Sequence, residues 1–339
     1  MAIRQGKETI ILEIKPEILS NAAVVGKKEG EGPLAKYFDE IFFDGTLGLD
    51  SWEKAESKFL KMAAEKAIAK ANLRASEVQA IFSGDLLNQC TGSAFGIRGL
   101  GIPFAGLFSA CSTMSLSLLL ASMAMETGAF SYTAAATCSH FCSAEKQFRQ
   151  PLEYGGQRTP TAQWTVTGAG AAILGKRQHE QNPYIDAVRI GKIVDYDITD
   201  ANNMGAAMAP AACDTICGFL KDTNTSPSDY DMILTGDLGK VGSELLCQLT
   251  EKEHGINIRS VHRDCGLMIF DLEKQDVHAG GSGCGCSASV LCSYILNSMR
   301  KNKFKKILFA ATGALMSPVS SLQGESIPGI SHAVRIIKD

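Results

Sequence analysis

Tryptophan occurs only twice and histidine six times in 339 residues, and all aromatics together make up 7%. A nucleic-acid surface built from basic stripes and interleaved aromatics therefore has little material to draw on. The formal net charge of −3 gives no general pull toward nucleic acid or anionic lipid. No CxxC pair and no closely spaced histidine pair is present, so the eleven cysteines do not form a recognisable zinc framework. Cys284-Gly-Cys286 resembles half of such a site and lacks the other half. The first residues, MAIRQGKETIILEIKPE, carry charges throughout and have no apolar signal core. Reduced thiols and no export are the expectation.

An uninterrupted membrane span is also lacking. No charge falls between Arg98 and Glu126, which on length alone would cross a bilayer. Gly99, Gly101, Pro103, Gly106 and the Ser/Thr/Cys cluster at 109–113 divide the run. What remains is a short extended piece followed by a buried helix. With no lipidation signal either, membrane attachment would have to come through partners.

What is abundant is glycine, at 33 residues, within a chain 45% hydrophobic. That suits a large α/β core with close backbone contacts. LDSWEKAESKFLKMAAEKAIAKANL reads as an amphipathic helix capped by Asp50, with Trp52, Ala55, Phe59, Met62 and Ala63 on one face. VQAIFSGDLL, SYTAAATCS and WTVTGAGAAILG read as strands. In the second half DMILTGDLGK and KKILFAATGALMS do the same, and a helix ends at Gly255.

Three matches recur in the same order. VQAIFSGDLL answers YDMILTGDLG, SACSTMSLSLLLAS answers SGCGCSASVLCSYI, and AFSYTAAATCS answers KFKKILFAATG. The chain reads as an internal duplication, with halves 1–180 and 181–339. Alternating strands and helices give α/β layers, whose ligands bind beyond the carboxyl ends of the strands. Asp85, Cys111, Asp237 and the 281–287 turn then meet at one site. Cys111, set among small residues at a strand-to-helix turn, has the seat of a nucleophile, where helix N–H groups would favour thiolate. A buried cysteine serving as a small hydrophobe is the alternative.

The duplicated halves, the Cys111 turn, GAGAAILG and GGSGCGCSAS resemble the thiolase and ketoacyl-ACP synthase superfamily. More narrowly, GDLLNQCTGSAFGIRGLGIPFAGLFSACSTM, the 136–175 segment and ATGALMSPVSSLQGESIPGISHAVRI resemble the stage V sporulation protein AD family. The resemblance implies a five-layered αβαβα fold, a homodimer and a place in the spore. It also implies dipicolinic acid as ligand, alone or with calcium, taken into the forespore and released in germination alongside membrane proteins of the same transport machinery.

Against the superfamily's pattern, Asp237 stands where the synthases carry a catalytic histidine, and Cys284 and Cys286 where histidine or asparagine is expected. Ala311 and Thr312 replace the second thiolase cysteine. The expected function is therefore binding without catalysis, no cofactor beyond calcium, and Cys111 as a vestigial nucleophile. An acyltransferase using Cys111 is the alternative, and a purely structural adaptor a third reading. His140 matches a pocket-rim position. His278 would orient the glycine turn, His332 begins the last strand, and His179, His254 and His262 read as surface residues. Arg98, Arg149 and Arg158 are candidate counter-charges, and both aspartates also suit Asx-type turns.

Overall fold

The computed structural model describes residues 2–148 and 158–339; Arg149 lies outside the described residues. Ten strands form a continuous path in two related groups. In chain order they are β1 (Glu17–Gly26), β2 (Ala80–Gly84), β3 (Phe104–Gly106), β4 (Tyr132–Ser139), β5 (Gly168–Gly175), β6 (Tyr184–Arg189), β7 (Met232–Thr235), β8 (His262–Asp264), β9 (Lys306–Ala314) and β10 (Gly329–Ile337). The first group runs β3-β2-β4-β5-β1 and the second β8-β7-β9-β10-β6. In both, the first three strands are parallel and the last two pairings antiparallel. The groups touch where Tyr184 of β6 faces Glu17 of β1. Strand for strand, the second half repeats the first, as the three sequence matches imply.

Helices complete the layers: α1 (Trp52–Lys70), α2 (Thr91–Ile97), α3 (Thr113–Glu126), α4 (Phe141–Phe148), α5 (Met204–Thr223), α6 (Gly239–His254) and α7 (Cys284–Val290). Ala55, Phe59, Ala63 and Ala67 of α1 are fully buried against one side of the first sheet. Apolar residues of α5 and α6 cover the outer side of the second. Between the sheets lie α3 and α7, in a core that includes Met114, Leu118, Leu119, Val290, Leu234 and Phe309. The uncharged run is thus interior core, and no helix among the described residues is long and apolar enough to cross a membrane.

Two local expectations change. Ser51, not Asp50, caps α1: its extended backbone brings Oγ to the Lys54 N–H at 3.3 Å, while Asp50 pairs with the Lys54 ammonium. Trp164–Thr165 does not pair with the strand that follows it but lies parallel to Gly281–Ser282. That pairing carries Thr165 and Ser282 to the same place beside the Cys111 turn. Close approach explains the small residues of β5: a Cβ on Gly170 would fall 2.4 Å from the Ala288 carbonyl oxygen of α7.

Candidate functional site

Cys111 sits in a turn that small hydroxyl residues tie together. Thr113 Oγ1 donates to the Ala110 carbonyl at 2.6 Å, and the Ser109 and Ser112 hydroxyls bond at 2.7 Å. Ala110 takes the left-handed conformation, φ 45°, a strained choice for a residue with a Cβ. The expected activation of the thiol is not what the turn supplies. The Ser112 and Thr113 N–H groups donate back to Ser109 and Ala110 carbonyls, so they are not aimed at sulfur. Burial first, and Asp237 second, push the Cys111 thiol well above its ordinary value.

Asp237 follows β7 and lies within hydrogen-bonding reach of the Cys111 thiol. Its Oδ1 accepts from Thr312 Oγ1 at 2.9 Å, and its Oδ2 from the Gly283 N–H at 2.9 Å and Ser282 Oγ at 3.2 Å. Complete burial raises its carboxyl to about 7 against those bonds, with Asp264 adding like-charge repulsion. Asp264 escaped the sequence reading. From the end of β8 it accepts from Thr235 Oγ1 at 2.7 Å and from the Leu238 and Gly239 N–H groups at 2.9 and 3.0 Å. It thereby caps the start of α6 from outside that helix. Only the position of its HRD run at a strand end could have signalled it.

Cys111 opens onto a pocket of about 690 Å³, counting its mouth. Phe108, Phe148, Met204 and Met316 give it apolar walls, and Thr165, Ser282, Asn202 and Glu145 its polar ones. Of the six residues expected to meet ligand, Cys111 alone lines this space. Asp237 lies just behind it, bonded to the lining Ser282. Asp85, fully buried, accepts from the Leu87 N–H at 2.8 Å and from both Ser93 N–H and Ser93 Oγ at 2.6 Å. That is the turn-capping role open to it from the sequence.

His140 Nε2 lies 2.9 Å from the Gly45 carbonyl, while its Nδ1 accepts from the Cys142 N–H at 3.1 Å. Its ring is committed to the backbone, and burial lowers its pKa. Cys284 packs against Cys111 and donates to the Cys138 carbonyl at 2.9 Å, and Cys286 faces the Gly236 carbonyl at 3.6 Å. The two thiols serve different strands and do not form half a metal site.

Other expectations also move. His332 lies inside β10 rather than at its start. Its Nδ1 accepts from the Gly191 N–H at 3.1 Å, leaving Nε2 to meet Ser109 Oγ at 2.9 Å, directly behind the Cys111 turn. His262 is buried rather than on the surface, 2.9 Å from Thr235 Oγ1. His278 contacts the Thr159 carbonyl at 2.8 Å, just before the glycine turn. Arg98 lies over the Phe95 ring, and Arg158 pairs with Asp276 beside Trp164. Neither arginine lines the pocket.

Residues 6–337 match the family model described as stage V sporulation protein AD. The chain is 42% identical over 329 residues to the stage V sporulation protein AD of Bacillus subtilis strain 168, covering 97% of this chain and 96% of that protein. The chain belongs to the stage V sporulation protein AD family. Among solved structures, this member of the family is similar to 3-oxoacyl-[acyl-carrier-protein] synthase III from Aquifex aeolicus, with a TM-score of 0.58 at 12% identity, covering 95% and 99% of the two chains. It is likewise similar to the acetyl-CoA acetyltransferase of Syntrophomonas wolfei, with a TM-score of 0.61 at 11% identity over 97% and 100%. At that identity the likeness gives the fold alone, which is the thiolase and ketoacyl synthase fold.

Proposed function

We propose that this stage V sporulation protein AD family member is a non-catalytic binding protein whose Cys111 pocket takes dipicolinate as its calcium complex. The process served is dipicolinate uptake into the forespore and its release in germination. The observation that carries the reading is the pairing of Cys111 with a buried carboxyl group. Acyl transfer through a thioester needs thiolate, a proton carrier and donors for the oxyanion. Here the thiol is held protonated, and the nearby Gly283 N–H and Ser282 hydroxyl are already engaged by Asp237.

The calcium complex is preferred over the free dianion on charge. Among the described residues the pocket lining includes Glu145 and no lysine or arginine. A bare dianion would find no lysine or arginine among those described residues, whereas calcium accepts six to eight oxygens. The Asn202 amide and the Thr165 and Ser282 hydroxyls can add oxygens to the ligand's own. A homodimer working beside membrane proteins of the same machinery completes the proposal.

Calorimetric titration with dipicolinate, with and without calcium, tests it. Heat of binding is expected in calcium, and none for Cys111→Trp, whose ring would fill the pocket. Absence of binding by the unaltered protein overturns the ligand, and unchanged binding in Cys111→Trp overturns the site.

One observation favours an acyltransferase instead. An Asp237 carboxyl near 7, in reach of the thiol, is placed for a general base working at neutral pH. That reading requires an acyl-Cys111 adduct after incubation with acyl-CoA, seen as a gain in intact mass.

A further inference from the structure

Two cysteines and a histidine converge far from the pocket, where α5 packs on α6. Cys213 and Cys217 lie one turn apart on α5, 2% and 3% exposed. His254 is the last residue of α6, before Gly255 turns the chain away at φ 66°. The two helices run side by side in the same direction. Near their starts Gly205 and Gly242 are in backbone contact, so close that a Cβ on Gly205 would meet the Gly242 nitrogen at 2.8 Å and one on Gly242 the Gly205 oxygen at 2.7 Å. Cys217 and His254 lie equally far down their helices from that glycine pair. The convergence therefore follows from the helix packing itself, not from one side-chain rotamer.

The two sulfurs and a His254 ring nitrogen all lie within 4.8 Å of one another. Tetrahedral zinc, with bonds of about 2.0–2.3 Å, holds such donors roughly 3.5–3.8 Å apart. His254 is exposed and its ring has no hydrogen-bond partner among the described residues, so no bond must be broken for it to close on the sulfurs to zinc distance. Glu253, next in the chain and hydrogen-bonded by Tyr196 Oη at 3.3 Å, stands beside the group.

We propose that Cys213, Cys217 and His254 form a zinc-class metal site that staples α5 to α6, with water or the Glu253 carboxylate as fourth ligand. Two thiolates and an imidazole select zinc over calcium or magnesium. Binding displaces both thiol protons, so affinity rises with pH. The staple matters for the rest of the fold because the same two helices begin at the pocket, at Met204 and just after Asp237. The proposal does not rest on what the pocket binds.

The test is cobalt titration of the reduced, metal-stripped full chain, followed by zinc displacement. One equivalent of cobalt should produce a thiolate-to-cobalt charge-transfer band that zinc abolishes. The double variant Cys213→Ser/Cys217→Ser should lose the band. His254→Ala, at an exposed helix end, should bind at least about tenfold more weakly, since even outer-shell changes cost 10–100-fold. No thiolate band in the unaltered chain overturns the site. So does a band that survives the double cysteine change, or binding unaltered by His254→Ala.

Discussion

Replacing Asp237 by asparagine isolates the cost of keeping a carboxyl behind Cys111. Its pKa rises from an ordinary 3.8 to about 7 because the group is fully buried, and Asp264 adds to the rise. Between those values the unfolded chain has released the proton while the folded one retains it. Stability from this group is thus complete below about 3.8, falls as pH rises, and is gone once pH passes about 7. At about 1.4 kcal/mol for each pH unit, the full swing is about 4 kcal/mol. Glu29, Glu56, Asp85 and Asp264 are also pushed up by burial, but they titrate in both proteins and largely cancel in the difference.

The asparagine side chain would lose the titration and keep one acceptor oxygen for Gly283 or Thr312. Rearranging those bonds costs about 1 kcal/mol. Near pH 4 the Asp237→Asn protein should therefore be less stable by about 1 kcal/mol, and near pH 8 more stable by about 3 kcal/mol. The sign of the difference reverses between. Melting temperatures of both proteins across that range give the comparison, at roughly 2–4 °C for each kcal/mol in larger domains. A difference that does not change with pH would refute a raised Asp237 carboxyl.

Two more outcomes follow from the same groups. In native protein near pH 7.5, iodoacetamide should label the half-buried Cys142 and Cys90 well before Cys111, and Asp237→Asn should speed Cys111 labelling by removing the facing carboxylate; peptide mass mapping reads both. Burial lowers His332 from 6.5 to about 4, so its contribution is complete above about pH 6.5 and is lost as pH falls toward 4, an acid penalty of about 3 kcal/mol. His332→Gln should flatten that acid limb of a pH–stability curve while lowering the neutral plateau by about 1–3 kcal/mol through its altered bonds to Ser109 and Gly191; an unchanged limb would show that the ring is not held neutral.

Much of this fold is legible in the sequence because duplicated strands end alike, in Gly84-Asp85 and Gly236-Asp237. That repeat carries the strand order of both sheets, and strand ends bring Asp237 to Cys111. It cannot separate the two aspartates. Asp85 is satisfied by Ser93, a residue of α2, whereas Asp237 finds its partners on β9 and the glycine turn. His332 meets Ser109 across 223 residues, and no local pattern announces such a contact. Cys213, Cys217 and His254 were unreadable for the same reason: their meeting depends on the register of two packed helices. The helix-terminus argument for a reactive thiol also failed locally, since the turn uses its own N–H groups.

The duplication makes the surviving asymmetry informative. Both halves place a left-handed residue just before the equivalent cysteine, Ala110 before Cys111 and Gly283 before Cys284. Gly283 needs its missing side chain, because a Cβ there would meet Ser139 Oγ at 2.8 Å. Ala110 keeps its methyl group on the pocket wall although glycine would relieve about 1 kcal/mol or more of strain. The second cysteine is sealed, with Cys284 fully buried and donating to Cys138. Of the two cysteines it is Cys111 that lines the pocket, and there a strained, apolar turn faces space while the acid behind it holds Gly283 and Ser282. Among the described residues the Gly283 N–H and Ser282 hydroxyl beside Cys111 are thus engaged by a carboxyl group rather than left for an oxyanion.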